Sequence, residues 1–365
     1  MKKIVMILTN GFHTDVRVYK EAKYLVQKGF RVTILCWDRD CNNDLATKEC
    51  IDGIRVIRFK IRSQYGTGYK QLFSFYRFLR CCRLYLKKNK HDYLHCHDID
   101  GALIGAIVKK KTDKMVFDMH EVYEHGGKIS TYLWRNLTKI LIKKSIAALY
   151  VTSFYLNHDY KSVRNKLYEL RNYPDISMVQ PLPKEKSDYF RVAYHGKVRN
   201  QLKDFTALFE AVKVLPFVKV DINGDGTDLK ELVRIQNKYD NVSVNGPYDG
   251  IKDSSRLYAN TDLLFCAYDP TDPNYQGDTE VVKFYEAIIT GTPILVTTGI
   301  GMEKKILDKK IGLSCNTRKS EEVREAIVRL YYDKKLWNQF HNNELMCSNE
   351  YSWNKAVKVL DKIYY

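Results

Sequence analysis

Residues 4–37 read IVMILTNGFHTDVRVYKEAKYLVQKGFRVTILCW. An apolar run at 4–8 predicts a buried strand. A helical pattern over 16–28 stops at Gly29, a residue type that readily takes the left-handed conformation closing a helix. A second apolar run at 31–37 predicts another strand. Strand, helix and strand in this order form a βαβ unit, and such units build parallel sheets. The alternation continues outward: a strand at 54–59, a basic helix at 69–90, a strand at 93–96, a helix near 103–110 and a strand at 115–119. A second series follows. It has a strand at 190–194, a loop at Gly196, a helix at 202–212, a strand at 218–222 ending in Gly224-Asp225-Gly226, a helix at 228–236, and strands at 242–244, 263–267 and 294–297. Pro174, Pro181 and Pro183 mark the break between the series. The expected fold class is α/β, with two Rossmann-like doubly wound domains facing each other across a cleft. Their expected extents are 1–175 and 187–351, joined by a linker at 176–186. In such sheets ligands gather at the carboxyl ends of the strands.

Among 365 residues, 45% are hydrophobic and 28% charged, an ordinary globular balance that excludes disorder. No apolar run approaches the roughly 20 residues that span a bilayer. The five apolar residues at the N-terminus fall short of the roughly 7–15 in a signal peptide, so a buried first strand and a cytoplasmic protein are expected. The nine cysteines include no Cys-x-x-Cys pair, and reduced cytosolic thiols are expected rather than zinc or disulfides.

The net charge of +17 falls entirely within residues 1–186. Such asymmetry predicts an anionic partner: nucleic acid, a phospholipid surface or a phosphorylated lipid. The basic helix at 69–90 places Leu72, Phe75, Phe78, Leu79, Cys82 and Leu86 at three- and four-residue steps, with Arg77, Arg80, Arg83, Lys87 and Lys88 among them. That pattern suits a membrane-surface anchor or a surface helix packed on its own domain. Residues 132–144 repeat the theme. No helix-turn-helix, zinc finger or RNA-binding aromatic signature appears, and no nucleic-acid partner is expected.

The richest stretch is DTEVVKFYEAIITGTP at 278–293. A helix starting near Thr279 places Asp278 at its cap and Glu286 two turns in. The free amides of Thr279, Glu280 and Val281 then face an anion. The two carboxylates can accept hydrogen bonds from hydroxyl groups.

This stretch resembles the acidic-x7-Glu signature of retaining nucleotide-sugar glycosyltransferases of the GT-B fold, particularly family 4, with Asp278 for the usual Glu and with Glu286-Ala287 and Gly291-Thr292-Pro293 matching. There the first acid contacts the transferred sugar and the second the ribose. Other segments resemble the family in order. Asn10, Gly11, His13, Asp15 and Arg17 fall in a first loop and helix on the acceptor or sugar side. His95-Cys96-His97-Asp98 is similar to a His-x-His-Asp segment, and His97 and Asp98 join the same side. Asp118-Met119-His120-Glu121 is similar to Asp-x-His-Glu, whose His lies close to the donor sugar. Gly196, Lys197, Arg199 and Lys203 resemble a phosphate-binding loop, with Asp204 where Gly is usual. Tyr351-Ser352-Trp353 is similar to the segment whose helix, 352–365 here, crosses back to the first domain. The resemblance implies a catalytic set of His120, Asp278 and Glu286, a nucleoside diphosphate sugar donor and no metal or other cofactor. It further implies a lipid-linked or oligosaccharide acceptor in surface polysaccharide assembly, on the cytoplasmic face of a membrane. A same-fold nucleotide-sugar epimerase and a basic non-catalytic partner subunit are the alternatives.

Asp38-Arg39-Asp40 and Asp98-Ile99-Asp100 spell Asp-x-Asp, a chance tripeptide here. The stretch from Asp221 to Gly226 starts like a calcium loop, but its twelfth position is Leu232. Strand alternation puts His95 and His97 on one face with no further ligand expected nearby.

Overall fold

The computed structural model describes residues 1–365 except 14, 65–70, 125, 185–186 and 279. Thr279 of the expected phosphate loop, Tyr69 and Lys70 of the basic helix and the end of the expected linker therefore lie outside the described residues. Two compact units are present: Met1–Arg171 with Ala356–Tyr365, and Asn172–Lys355.

The first unit runs β1 (Lys3–Leu8), α1 (Val16–Gln27), β2 (Arg31–Asp38), β3 (Lys48–Ile51), β4 (Ile54–Lys60), α2 (Leu72–Lys88), β5 (Tyr93–His97), α3 (Asp98–Val108), β6 (Lys114–Met119), α4 (Lys128–Lys144), β7 (Ala147–Tyr150) and β8 (Leu167–Glu169). The sheet order is β3-β4-β2-β1-β5-β6-β7-β8. Every pairing is parallel except that of β3 with β4. Because the sheet is covered on both faces, β1, β5 and β6 are almost entirely buried. The winding reverses between β1 and β5. That switch point brings the loop after β1, with Asn10 and Gly11, next to the end of β5, with His97 and Asp98. The basic helix is α2. It buries Phe78, Leu79, Cys82 and Leu86, with Phe78 stacked on Trp37 at 5.6 Å. Near the chain end, Tyr364 is buried between Phe30 and Tyr93 and its hydroxyl bonds His95 Nδ1 at 2.8 Å.

The second unit runs β9 (Phe190–His195), α5 (Leu202–Val212), β10 (Val218–Asn223), α6 (Leu229–Gln236), β11 (Val242–Gly246), α7 (Ser254–Ala259), β12 (Leu263–Cys266), α8 (Val282–Thr290), β13 (Ile294–Thr297), α9 (Gly301–Lys309), β14 (Gly312–Cys315), α10 (Ser320–Tyr332) and α11 (Lys334–Cys347). Its six strands lie in the order β11-β10-β9-β12-β13-β14, all parallel. Here the switch point falls between β9 and β12. The expected doubly wound α/β architecture is present in both units.

The helix over the acidic signature starts later than its spacing predicts. Val281 is extended (φ −87°, ψ 154°) and α8 begins at Val282, so Asp278 sits in a preceding turn and Glu286 lies about one turn in. The cause is tertiary. Glu280 accepts a hydrogen bond from the Tyr285 hydroxyl at 2.6 Å and pairs with Lys305 of α9, which holds the segment away from the helix axis.

Candidate functional site

In the first unit the candidate residues converge on Asp118 at the end of β6. Its carboxylate is fully buried and accepts from Arg17 Nη2 at 2.6 Å, Arg17 Nε at 2.9 Å and His120 Nε2 at 2.7 Å, with His97 Nδ1 at 3.2 Å. Burial opposes its charge, but Arg17 and His120 outweigh burial and hold the carboxyl well below its ordinary range. Arg17 also pairs with Glu21 at 3.1 Å and donates to the Leu170 carbonyl at 3.0 Å. Burial, reinforced by the neighbouring Asp118 charge, pushes the Glu21 carboxyl well up.

His120 is the member of this network that reaches the surface, with 19% of its side chain exposed. Asp98 approaches its Nδ1 at 3.4 Å while Asp118 holds Nε2. Burial lowers its basicity, but Asp98 and Asp118 outweigh this and push its pKa up to about 10, so His120 is an imidazolium at neutral pH. Asp98 is held at φ 58° and accepts from the Tyr123 hydroxyl at 2.9 Å. A non-glycine residue in that region costs energy and persists only where its surroundings fix it.

Arg17 and His97 are expected on the sugar side, and the structure places both behind the surface, 4% and 0% exposed. Asn10 and Asp15 are spent on the loop itself. Asn10 donates to Asp15 at 2.9 Å and accepts from the Phe12 amide, and Asp15 caps α1 through the Val18 amide. The Gly11 carbonyl accepts from Arg58 at 2.8 Å, and His13 is exposed. The histidine pair also needs a correction. His95 and His97 do share a strand face, stacked at 4.5 Å, but Glu21 and Asp118 bring the ligand-type atoms of all four residues within 4.8 Å of one another. No local pattern announces this, because Glu21 comes from α1 and Asp118 from β6. The guanidinium of Arg17 already supplies positive charge to that cluster.

In the second unit the loops after β9, β10 and β12 and the start of α8 carry the candidates. Gly196 (φ 132°) leaves the end of β9, and its amide donates to Asn223 at 2.9 Å. The two loops touch backbone to backbone. A Cβ on Gly224 would lie 1.7 Å from the Gly196 oxygen, which only glycine avoids. Lys197, Arg199 and Lys203 are all exposed, and Lys197 pairs with Asp225 at 2.5 Å. Asp204 points the other way: it is buried, accepts from Thr317 Oγ1 at 2.6 Å and pairs with Arg318 at 3.5 Å. Its departure from the usual glycine is a tie between α5 and the loop before α10.

On α8, Glu286 is 8% exposed and accepts from the Tyr258 hydroxyl at 3.1 Å. His195, at the end of β9, is pushed down to about 3 by burial, with Lys283 and Lys184 adding to the effect, and is neutral. It bonds Thr261 and Asn223 at 3.0 and 3.2 Å. Sequence reading passes over Lys283, yet it lies on the same face of α8 as Glu286, three residues earlier. It is 7% exposed, with its Nζ 3.3 Å from the Tyr194 ring centroid. A lysine inside the otherwise apolar run of an acidic-x7-Glu helix is the signal that marks it.

Residues 5–153 match the family model described as glycosyl transferase 4-like, and residues 189–333 the one described as glycosyl transferases group 1. No curated protein sequence matches the chain. Solved structures share its fold. Sucrose-phosphate synthase from Thermosynechococcus elongatus has a TM-score of 0.79 at 14% identity, covering 100% of this chain and 98% of that one. HepE of Anabaena, solved with UDP and glucose, has a TM-score of 0.72 at 15% identity, covering 99% of each chain. WaaG, a glycosyltransferase involved in lipopolysaccharide biosynthesis, has a TM-score of 0.67 at 16% identity, covering 98% of this chain and 99% of that one. At such identities these likenesses establish the fold, while the two family matches, one in each half of the chain, establish the class of enzyme. With its two Rossmann-like units and this pair of domain matches, the protein is a glycosyltransferase of the GT-B fold.

Proposed function

We propose that the enzyme moves a sugar, with retention of configuration, from a nucleoside diphosphate sugar to a lipid-linked saccharide during surface polysaccharide assembly, without a metal. The observation that carries this reading is the second unit's switch point. There a glycine loop after β9, exposed Arg199 and Lys203, and α8 with its buried Glu286 are built around the neighbouring strands β9 and β12. The leaving diphosphate develops charge that fixed cations and helix amides stabilise. Arg199 and Lys203 take that role, Glu286 accepts from the ribose hydroxyls and Asp278 from the sugar. His120, held as a cation, orients the donor sugar or its phosphate. The C1–O bond to the diphosphate breaks as the acceptor oxygen bonds C1 on the same face. The departing phosphate oxygen takes the acceptor's proton. Such a site depends on positioning more than on a dedicated base. The binding of UDP and glucose by HepE supports the donor class.

The acceptor side of the proposal rests on the first unit's surface. Opposite its buried face α2 exposes Leu72, Phe73, Tyr76 and Leu84 beside Arg77, Arg80 and Arg83. α4 exposes Ile129, Tyr132 and Leu133 with Lys128, Lys143 and Lys144. Among the described residues no helix is long and apolar enough to cross a membrane. Apolar side chains ringed by cations suit the interface of an anionic bilayer instead. At low salt the protein is expected to sediment with vesicles containing phosphatidylglycerol and not with phosphatidylcholine alone. The double change R80E/R83E is expected to weaken this at least tenfold, at about 1 kcal/mol for each basic residue removed from the surface. Failure to sediment with either vesicle type would remove the membrane from the account, and equal binding to both would remove the anionic headgroup from it.

The donor reading is tested by thermal shift with UDP, GDP, ADP and CMP and their sugar conjugates in EDTA. A ligand at 100 times its dissociation constant stabilises by about 2.7 kcal/mol. One diphosphate is expected to raise the melting midpoint in EDTA. A shift that requires Mn²⁺ would contradict metal independence. No shift with any nucleotide would contradict the donor reading and favour a non-catalytic partner subunit.

A further inference from the structure

Lys283 is a buried amine whose Nζ has no hydrogen-bond partner among the described residues. Its surroundings are named readily. From β9 come Tyr194, with the ring centroid 3.3 Å away, and His195; from β12 comes Cys266, and from the loop after it Tyr268 at 5.4 Å. Burial keeps His195 neutral, and it pushes the Cys266 thiol up to about 12 and the Tyr194 and Tyr268 hydroxyls above their usual range, so all four are uncharged at neutral pH. Among the described residues, Glu286 on the same helix is the anion that acts on Lys283. Burial outweighs Cys266 and Glu286 and brings the amine down to about 7.

The end of the Lys283 side chain lies beside the glycine loop. A Cβ on Gly196 would come within 3.1 Å of the Nζ, so the absent side chain leaves open the ground between the amine and the loop backbone. A buried cation without an acceptor is costly, and evolution of a structural lysine would supply a carboxylate or carbonyl. Here the missing partner lies where Gly196, Arg199 and the start of α8 are proposed to hold the donor.

We propose that Lys283 is the buried counter-ion of the donor's diphosphate and takes up a proton from solvent when the nucleotide binds. The inference rests on the donor reading above. It adds a binding residue and makes donor affinity fall with rising pH. The sign follows from the amine: Lys283 of the free enzyme loses its proton near neutrality, whereas in the complex the adjacent diphosphate keeps the amine protonated. Affinity is therefore constant below about pH 7 and weakens above it, by up to tenfold for each pH unit.

The test is calorimetry of the full-length protein with UDP at pH 8, in HEPES and in Tris, whose ionisation enthalpies differ. UDP is already fully ionised there. An uptake of about 0.9 proton per UDP is expected from an amine that titrates near 7. K283R carries a permanent charge, so it is expected to bind UDP with uptake near zero. K283M fills similar space without charge. It is expected to melt no lower than the parent and to bind UDP at pH 6.5 roughly 10- to 100-fold more weakly, the worth of a charge-assisted contact. Equal uptake by K283R and the parent, or parental UDP affinity in K283M, would overturn the inference and leave the donor reading standing. Failure of the parent to bind UDP, GDP or ADP would overturn both.

Discussion

Replacing Asp118 by Asn is expected to destabilise the first unit by roughly 3–5 kcal/mol, the loss seen when one member of a buried ion pair is removed. Its two oxygens receive four donors, from Arg17, His97 and His120. An amide nitrogen in place of one oxygen faces donors with a donor. Arg17 is then left with Glu21, whose own carboxyl burial and Asp118 had pushed up. A loss of this size lowers the melting midpoint by roughly 10 °C in a domain of this length. His120 is also released, so turnover is expected to fall further than stability alone explains at temperatures where the variant is folded. Asp44→Asn, at an exposed loop carboxylate, is the control and is expected within about 0.5 kcal/mol of the parent. Circular dichroism melts of the three proteins check this. A D118N midpoint matching the control would show that Asp118 does not organise the cluster.

The first βαβ unit is legible because its periods change cleanly, from the apolar run at 4–8 to the helical pattern at 16–28 and back. The strands β3, β7, β8 and β14 escape that reading. β8 has three residues, and KECI, AALY and GLSC carry little β-branched or alternating character. They are strands because a neighbour offers hydrogen bonds, a tertiary cause that overrides weak local preference. The acidic signature is legible as spacing, since Asp278 and Glu286 bracket one helix start. Its conformation is not, because Lys305 fixes Glu280 from a later helix. The same limit applies to the histidine cluster. The alternation that puts His95 beside His97 is local, whereas Glu21, Asp118 and Arg17 arrive through the fold. Lys283 shows the converse. It lies in plain view, but its meaning depends on the Gly196 loop being packed against it.

The second large effect is expected at the acidic pair, where the two carboxylates should separate by ligand. Glu286 is assigned to the ribose, present in UDP and UDP-sugars alike. Removing its charge in E286Q is expected to weaken UDP and its sugar conjugate equally, by roughly 10- to 100-fold, the loss of a hydrogen bond to a charged group. Asp278 is assigned to the sugar, which UDP lacks. D278N is expected to leave UDP affinity within about twofold while the catalytic efficiency falls 100-fold or more, because a contact strengthened in the transition state is lost. Calorimetry with UDP beside steady-state kinetics distinguishes the two roles. Equal loss of UDP affinity in both variants would refute the division, and an unchanged E286Q would remove Glu286 from the donor site.

The central claim is that this GT-B glycosyltransferase draws its sugar from a nucleoside diphosphate held by Glu286 and its neighbours without a metal. Release of nucleoside diphosphate from a panel of UDP-, GDP- and ADP-sugars, measured in EDTA with membrane extract as the acceptor source, tests it most directly. The expected result is release from one donor that depends on added extract and falls at least tenfold in E286Q. Release only with added divalent metal, or equal release by E286Q, would contradict it.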